Sequence, residues 1–191
     1  MKNILYIHGF NSAGTGGKAQ SIAEHYKGKL RVLTPSFNYK DLPNTLRQLN
    51  SMVTTQRIEL IAGTSLGGFL ALYASSLHHT KCVCINPTTR PSETLRPMVG
   101  ELKNYVTKER YILREEDLAP YKTLEEGDFA LIQPDDATTR FLLSEADELL
   151  GDHHYLEARY PTCHHFQYFE GFDHRFNSLK PIFAAINELM R

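Results

Sequence analysis

The chain has 191 residues, 41% of them hydrophobic, and a formal net charge of −1 from 21 basic and 22 acidic side chains. This length suits a single domain, residues 1–191, with a sizeable core. The balanced charge gives no electrostatic basis for binding nucleic acid or an anionic membrane surface. No stretch approaches the roughly 20 apolar residues of a membrane span. Three cysteines without a secretion signal indicate a reducing cytoplasm and no disulfide framework.

Apolar runs and helical periodicity alternate through the first half of the chain. Short apolar runs predict strands, and apolar residues at helical spacing predict helices. The predicted strands are 3–8, 30–34, 58–62 and 81–85, and the predicted helices are 18–27, 41–56 and 67–79. This alternation predicts parallel β-α-β units in a doubly wound α/β sheet. The continuous apolar character of the strands is typical of a sheet covered by helices on both faces.

The alternation breaks after Pro87. Residues 92–128 are polar, charged and helix-prone, and predict a helical insertion. Such an insertion would lie over the carboxyl ends of the strands, where ligands bind in open α/β sheets. The pattern is compatible with a cap over a site and equally with ordinary surface helices. The regular pattern then returns, with predicted strands at 141–143 and 166–170 and predicted helices at about 151–160 and at 178–190.

A G-x-S-x-G motif, Gly63 to Gly67, follows the third predicted strand directly. In this context a serine occupies a strained strand-to-helix turn, where side chains two residues before and after it would collide. The turn exposes the Ser65 hydroxyl and directs the Leu66 N–H at the place where an oxyanion would form. The motif therefore predicts Ser65 as the nucleophile of a serine hydrolase of the α/β type, rather than an ordinary residue at a helix N-terminus.

A serine nucleophile needs a general base and an acid that orients the base. In α/β-hydrolases these follow the nucleophile in the order Ser, Asp or Glu, His, each just beyond a strand end. His174 follows the last predicted strand and is the candidate base. Asp147 follows the preceding strand and is the preferred acid, with Asp152, Glu145 and Asp135 as alternatives.

The loop after the first strand supplies a second candidate for binding an oxyanion. Phe10 follows Gly9, which lacks a side chain and lets the backbone approach a substrate closely. The backbone N–H groups of Phe10 and Leu66 are therefore the candidate oxyanion hole. Loss of one such donor typically costs about 3 kcal/mol of transition-state stabilisation.

Other patterns point away from nucleotides and metals. The stretch Gly14–Lys18 fails the phosphate-binding pattern G-x-x-x-x-G-K-[ST], because serine and alanine stand at positions 12 and 19. It is better interpreted as a flexible loop that leads into a helix. Three adjacent histidine pairs lack metal-ligand spacing and are interpreted as solvated loop and helix-end residues: His78-His79, His153-His154 and His164-His165. We therefore expect no metal and no cofactor.

Six segments together carry a family resemblance: His8–Ser12, Lys18-Ala19, Gly63–Gly68, Asn86–Pro91, Ala146–Glu148 and Glu170–His174. They resemble the YqiA/YcfP-like esterase family of small bacterial α/β-hydrolases. The Asn-Pro-x-x-Arg-Pro segment is the most family-specific part, because the serine motif is shared by all α/β-hydrolases. The resemblance implies the α/β-hydrolase fold, esterase or thioesterase activity, and a triad of Ser65, Asp147 and His174. The family often has glycine before the acid, where this chain has Ala146.

The leading hypothesis is a serine hydrolase that cleaves small-molecule acyl esters or thioesters through an acyl-enzyme intermediate. A non-catalytic hydrolase-fold ligand-binding protein and a peptide or amide hydrolase with the same triad are the alternatives. Arg90 could bind a substrate anion, but hydrogen bonds that pin its own loop are the favoured role. The sequence leaves the oligomeric state and the substrate open.

Overall fold

The computed structural model describes residues 1–191 and contains a six-stranded sheet and a separate two-stranded hairpin. The strands are β1 (Asn3–Ile7), β2 (Arg31–Leu33), β3 (Ile58–Thr64), β4 (Lys81–Ile85), β5 (Gly100–Lys103), β6 (Arg110–Leu113), β7 (Thr139–Ser144) and β8 (Phe166–Phe169). The large sheet has the order β2-β1-β3-β4-β7-β8, and every neighbouring pair is parallel. The predicted parallel, doubly wound sheet is confirmed.

Seven α-helices surround the strands. They are α1 (Gly17–His25), α2 (Leu42–Thr55), α3 (Leu66–His78), α4 (Pro91–Thr94), α5 (Ala119–Glu126), α6 (Tyr155–Arg159) and α7 (Lys180–Leu189). Local chemistry explains where α2 begins, because the Asp41 carboxylate accepts the Asn44 N–H at 3.1 Å and Pro43 occupies the first turn. None of the seven has the length and apolar character that crossing a bilayer requires.

The two faces of the sheet have separate hydrophobic cores. Along β1, Leu5 and Ile7 join the core beneath α2, α3 and α5, whereas Ile4 and Tyr6 join the core beneath α1 and α7. This division follows from the alternation of side chains along a strand. Burial of an aliphatic side chain of this kind stabilises the fold by about 1.5–3 kcal/mol. Both faces are therefore buried, as the continuous apolar runs predict.

The strand order changes direction at β1. The chain leaves β1 for β2 on one side, while β3 pairs with β1 on the other side and aligns Gly63 with Ile7. A crevice forms at such a switch point, outside the carboxyl ends of the strands. The loop after β1 and the turn after β3 consequently lie next to each other.

The insertion between β4 and β7 differs from the helical segment predicted over 92–128. It contains α4 and α5, but residues 100–113 form the antiparallel hairpin of β5 and β6. In β6, buried Leu113 and half-buried Tyr111 alternate with exposed neighbours, which is the two-residue period of a strand. The sequence did not predict this strand because the alternation is short and lies among Lys, Glu and Arg residues, which favour helices.

The hairpin contacts the loop after β1 through Asn11. The Asn11 side-chain amide donates to the Lys103 carbonyl oxygen at 3.1 Å, and the Tyr105 N–H donates to the Asn11 carbonyl oxygen at 3.0 Å. The Tyr111 hydroxyl donates to Asn11 Oδ1 at 2.9 Å. The hairpin therefore lies beside the loop that follows the carboxyl end of β1.

Substitution of Gly67 should destabilise the fold strongly. An alanine methyl at this position would collide with the carbonyl oxygens of Ile7 and His8, whereas Gly17 has open space around it. We expect Gly67→Ala to lower the free energy of unfolding by about 3 kcal/mol. The matched control Gly17→Ala should leave it unchanged or raise it by up to about 1 kcal/mol. Urea denaturation measures both, and equal effects would contradict the packing described for α3.

Candidate active site

Ser65 occupies the sharp turn between β3 and α3. Its φ and ψ angles are 57° and −120°, a region that costs a non-glycine residue about 1–3 kcal/mol. A side chain at Gly63 would collide with the Gly67 backbone, and one at Gly67 would collide with β1. The Ser65 N–H is fixed by the Ile85 carbonyl oxygen at 2.9 Å. Both glycines of the motif are thus required by the strained turn that the sequence predicts.

The structure brings the predicted nucleophile, base and acid into one hydrogen-bonded chain. His174 Nε2 lies 3.0 Å from Ser65 Oγ. His174 Nδ1 lies 2.9 Å from each of Asp147 Oδ1 and Oδ2. The Asp147 side chain is fully buried, and the His174 side chain is 12% exposed. A neutral imidazole in this position can accept the serine proton at Nε2 while donating its Nδ1 proton to the carboxylate.

The alternative acids lie elsewhere. The Asp152 carboxylate contacts exposed His154 at 2.6 Å, and the Asp135 carboxylate accepts the Ala137 N–H at 2.8 Å. Glu145 is exposed and makes no hydrogen bond to His174. Asp147 is therefore the only one of the four candidates that contacts His174.

The Asp147 carboxylate is surrounded by N–H donors. Oδ1 accepts the backbone N–H groups of Leu149 at 3.0 Å and Leu150 at 2.8 Å, and Oδ2 lies 2.8 Å from His153 Nε2. Burial alone would raise the pKa of Asp147, but hydrogen bonds from His153, His174 and Leu150 outweigh it and hold the pKa well below its usual range. The Asp147 carboxylate is consequently ionised at neutral pH and can balance a positive charge on the His174 imidazole.

His153 corrects the interpretation of the histidine pairs. It was expected to be solvated, but its side chain is fully buried against Asp147. The neighbouring His154 is exposed, as expected, and so is His164. The sequence carries no signal for His153, because its contact depends on residues 148–152 turning the chain back onto Asp147. No three His, Cys, Asp or Glu side chains are grouped so as to hold a metal ion.

Asn86 connects β4 to the loop that carries His174. Its side-chain amide donates to the carbonyl oxygens of Asp173 at 3.2 Å and His174 at 3.1 Å, and Oδ1 accepts the Ser144 N–H at 2.7 Å. The Ser144 hydroxyl also donates to the Asp173 carbonyl oxygen at 2.7 Å. Asn86 is fully buried with a φ of 41°. This residue of the Asn-Pro segment therefore fixes the His174 backbone, a role that the sequence did not reveal.

Two charged side chains hold the same loop from other directions. The Glu148 carboxylate accepts the His174 N–H at 2.9 Å, and Lys18 Nζ donates to the Arg175 carbonyl oxygen at 2.5 Å. Burial lowers the pKa of Lys18 to about 8, and the Asp173 carboxylate opposes that shift. His174 is thus held through its own N–H and through carbonyl groups on both sides.

Arg90 does not pin its loop. Its guanidinium makes one ion pair, at 3.5 Å to Glu93 one turn along α4, and both side chains are about two-thirds exposed at 68% and 66%. An exposed pair of this kind contributes little to stability. The guanidinium therefore makes none of the hydrogen bonds within its loop that were expected from the sequence.

The peptide between Gly9 and Phe10 is oriented by His8. His8 Nε2 accepts the Phe37 N–H at 3.0 Å, so the neutral ring carries its proton on Nδ1 and donates it to the Gly9 carbonyl oxygen at 2.8 Å. Burial lowers the pKa of His8, which favours this neutral form. Because C=O and N–H point in opposite directions in a trans peptide, the Phe10 N–H is directed away from His8.

Both candidate oxyanion donors flank Ser65. A Cβ atom at Gly9 would lie 3.5 Å from Ser65 Cβ, so the Gly9–Phe10 peptide runs directly past the serine. Leu66 is the first residue of α3, where N–H groups have no acceptor within the helix. A cavity of about 420 Å³ opens beside Phe10, between residues 36–40 and the hairpin, and has room for part of a small organic molecule.

Comparison with solved structures finds the same fold. Est1E from Butyrivibrio proteoclasticus superimposes with a TM-score of 0.73 at 16% identity, over 99% of this chain and 86% of that one. The α/β hydrolase domain-containing protein 10 from mouse superimposes with a TM-score of 0.69 at 17% identity, over 98% of this chain and 89% of that one. Both are α/β-hydrolases, and the predicted fold class is confirmed.

Curated relatives match a shorter region. A UPF0227 protein of Pectobacterium carotovorum subsp. carotovorum is 27% identical over 108 residues, which are 54% of this chain and 60% of the relative. A UPF0227 protein of Pectobacterium atrosepticum is 26% identical over the same shares. The match thus spans 60% of the length of each relative.

The model of the family described as "Uncharacterised protein family (UPF0227)" matches residues 3–191. The chain belongs to this family, as its resemblance to YqiA/YcfP-like proteins predicts.

Proposed function

We propose that this protein is a serine hydrolase that cleaves small-molecule acyl esters or thioesters. One observation carries the proposal: Ser65, on a strained turn, is hydrogen-bonded through His174 to the buried carboxylate of Asp147. Est1E was also solved with ferulic acid bound, and another solved structure of this fold is described as a metagenome-derived lipolytic enzyme. These neighbours support an ester as the first substrate class to test.

The first half of the reaction forms an acyl-enzyme. Ser65 Oγ attacks the acyl carbonyl carbon while His174 Nε2 takes the hydroxyl proton, and Asp147 stabilises the resulting imidazolium. The negative charge on the carbonyl oxygen is bound by the N–H groups of Phe10 and Leu66. As the tetrahedral intermediate collapses, the bond to the leaving oxygen or sulfur breaks, and His174 returns the proton to that atom.

The second half restores the enzyme. A water molecule attacks the acyl carbonyl carbon while His174 accepts one of its protons. The same two N–H groups bind the second oxyanion, and collapse releases the carboxylic acid and returns the proton to Ser65. Neither half requires a cofactor.

The alternatives use the same residues differently. A ligand-binding protein would gain nothing from a strained serine aligned with a base and an ionised acid, and the strain costs about 1–3 kcal/mol. A peptide or amide hydrolase would differ only in the leaving group, which His174 would have to protonate as an amine. Substrate panels with ester, thioester and amide bonds separate these reactions.

Replacement of Ser65 should abolish hydrolysis. We expect Ser65→Ala to lower kcat/KM by at least about a thousandfold on p-nitrophenyl and acyl-thioester substrates, because the covalent step is lost. The control is Ser51→Ala, which removes an exposed serine of α2. A series of substrates with increasing acyl chain length also measures the size of the pocket that holds the acyl chain. Equal rates for wild type and Ser65→Ala would contradict the proposal.

Activity should fall as the pH is lowered below neutral, because a protonated imidazole cannot accept the Ser65 proton. Asp147 should contribute no transition near neutral pH, since its pKa lies well below the usual value. The measurement is kcat/KM against pH for a substrate whose chemical step limits the rate. A flat profile would remove His174 from the role of base.

Arg90→Ala should change kcat/KM by less than about threefold. Its guanidinium makes only an exposed ion pair with Glu93, and such pairs contribute at most about 1 kcal/mol. A loss comparable with that of Ser65→Ala would instead show that Arg90 contacts the substrate.

A further inference from the structure

His153 is a buried ionisable group that the proposed reaction does not use. Its ring lies beside the acid of the site rather than beside the nucleophile, with Nε2 at 2.8 Å from Asp147 Oδ2. Its side chain has no solvent exposure. The other ring nitrogen, Nδ1, is buried without a hydrogen-bond partner.

These contacts define where the His153 proton resides. Asp147 is ionised and accepts hydrogen bonds only, so His153 Nε2 must be the donor. A second proton on Nδ1 would be a buried donor without an acceptor, which is energetically costly. The ring is therefore a neutral imidazole with its proton on Nε2.

The two oxygens of Asp147 have different surroundings. Oδ1 is fixed by two backbone N–H groups, from Leu149 and Leu150. Oδ2 has no backbone donor, and beyond its contact with His174 its partner is His153. Without His153, only His174 would hold Oδ2, and the plane of the carboxylate would be less well defined.

We propose that His153 is a positioning residue of the active site, which holds Asp147 Oδ2 through its Nε2 proton and thereby aligns Asp147 with His174. This inference rests on the proposed function. An apolar side chain would fill the same space without leaving a polar nitrogen unpaired, so packing alone does not account for an imidazole here. The hydrogen bond also disperses the negative charge that faces the base.

Other polar groups surround this pair, and they bear on any pH dependence. Asp147 faces His174 and His153, and the Glu148 carboxylate and the Tyr155 hydroxyl lie close enough to interact with it. Glu148 also accepts the His174 N–H. Since these groups are the same in all His153 variants, a change in pH profile among the variants reports the His153 bond.

The first test uses an alkyl fluorophosphonate, which needs no knowledge of the natural substrate. Ser65 Oγ forms a bond to phosphorus, fluoride leaves, and His174 accepts the hydroxyl proton, so the rate of inactivation between pH 5 and 9 reports the base. The variants are His153→Leu, which removes the donor, and His153→Gln, whose amide can reach Asp147 Oδ2 with an N–H group.

We expect His153→Leu to slow inactivation at neutral pH about tenfold to a hundredfold, the range for loss of a hydrogen bond to a charged group. The acid limb of its pH profile, where the rate of inactivation falls as the pH is lowered, should move to higher pH. The reason is that the undispersed charge of Asp147 stabilises protonated His174 more strongly. His153→Gln should recover most of the rate and the original limb. Wild-type behaviour of His153→Leu, an unmoved limb, or failure of His153→Gln to recover would each overturn the proposal.

Nuclear magnetic resonance provides a readout that does not depend on activity. Histidine-labelled wild-type protein should show His153 with its proton on Nε2, and a downfield proton from His174 Nδ1. That downfield signal should persist in His153→Gln and be lost or broadened in His153→Leu. In the wild type, a His153 proton on Nδ1 would overturn the proposal, even if His153→Leu fails to fold. If the wild type does not react with fluorophosphonate but shows these signals, the proposed function fails and the positioning contact stands.

Discussion

A carboxylate buried in the loop just after β7 must be compensated by hydrogen bonds, and the arrangement of the site follows from how Asp147 obtains them. Four N–H groups converge on it, from Leu149, Leu150, His153 and His174. An uncompensated buried charge would be strongly destabilising. The loop after β7 must therefore fold back on itself, and the loop after β8 must bring its histidine inward. The hydrogen bonds to His174 that compensate the buried charge also hold the imidazole against Ser65.

The remaining residues of the site lie at neighbouring strand ends, and hydrogen bonds between these ends fix their relative positions. Ser65 is tied to β4 by its N–H, and Asn86 at the end of β4 is tied to Ser144 on β7 and to the loop of His174. The loop after β1 is tied to the hairpin through Asn11. Parallel strands place all these ends at one edge of the sheet. Precision at the site thus comes from hydrogen bonds between loops that a rigid sheet has already brought close.

Features that depend on residues close together in the sequence could be predicted. Features that depend on the chain turning back onto a distant or earlier segment could not. Gly63 and Gly67 predict the strained turn, because only a missing side chain avoids the backbone there. The order of Ser65, Asp147 and His174 along the chain predicts three residues that the structure brings together. The hairpin of residues 100–113 was missed because its alternation is short and lies among charged, helix-favouring residues. His153 was missed because nothing near it in sequence distinguishes a buried imidazole from a solvated one.

The proposed reaction depends on Ser65 being a nucleophile that is activated by His174. The most direct measurement is peptide mass spectrometry of the protein after reaction with one equivalent of a fluorophosphonate at neutral pH. We expect a single phosphonyl adduct, carried by the peptide that contains Ser65 and located on that side chain. An unmodified Ser65, with the adduct on another residue or no adduct at all, would contradict it.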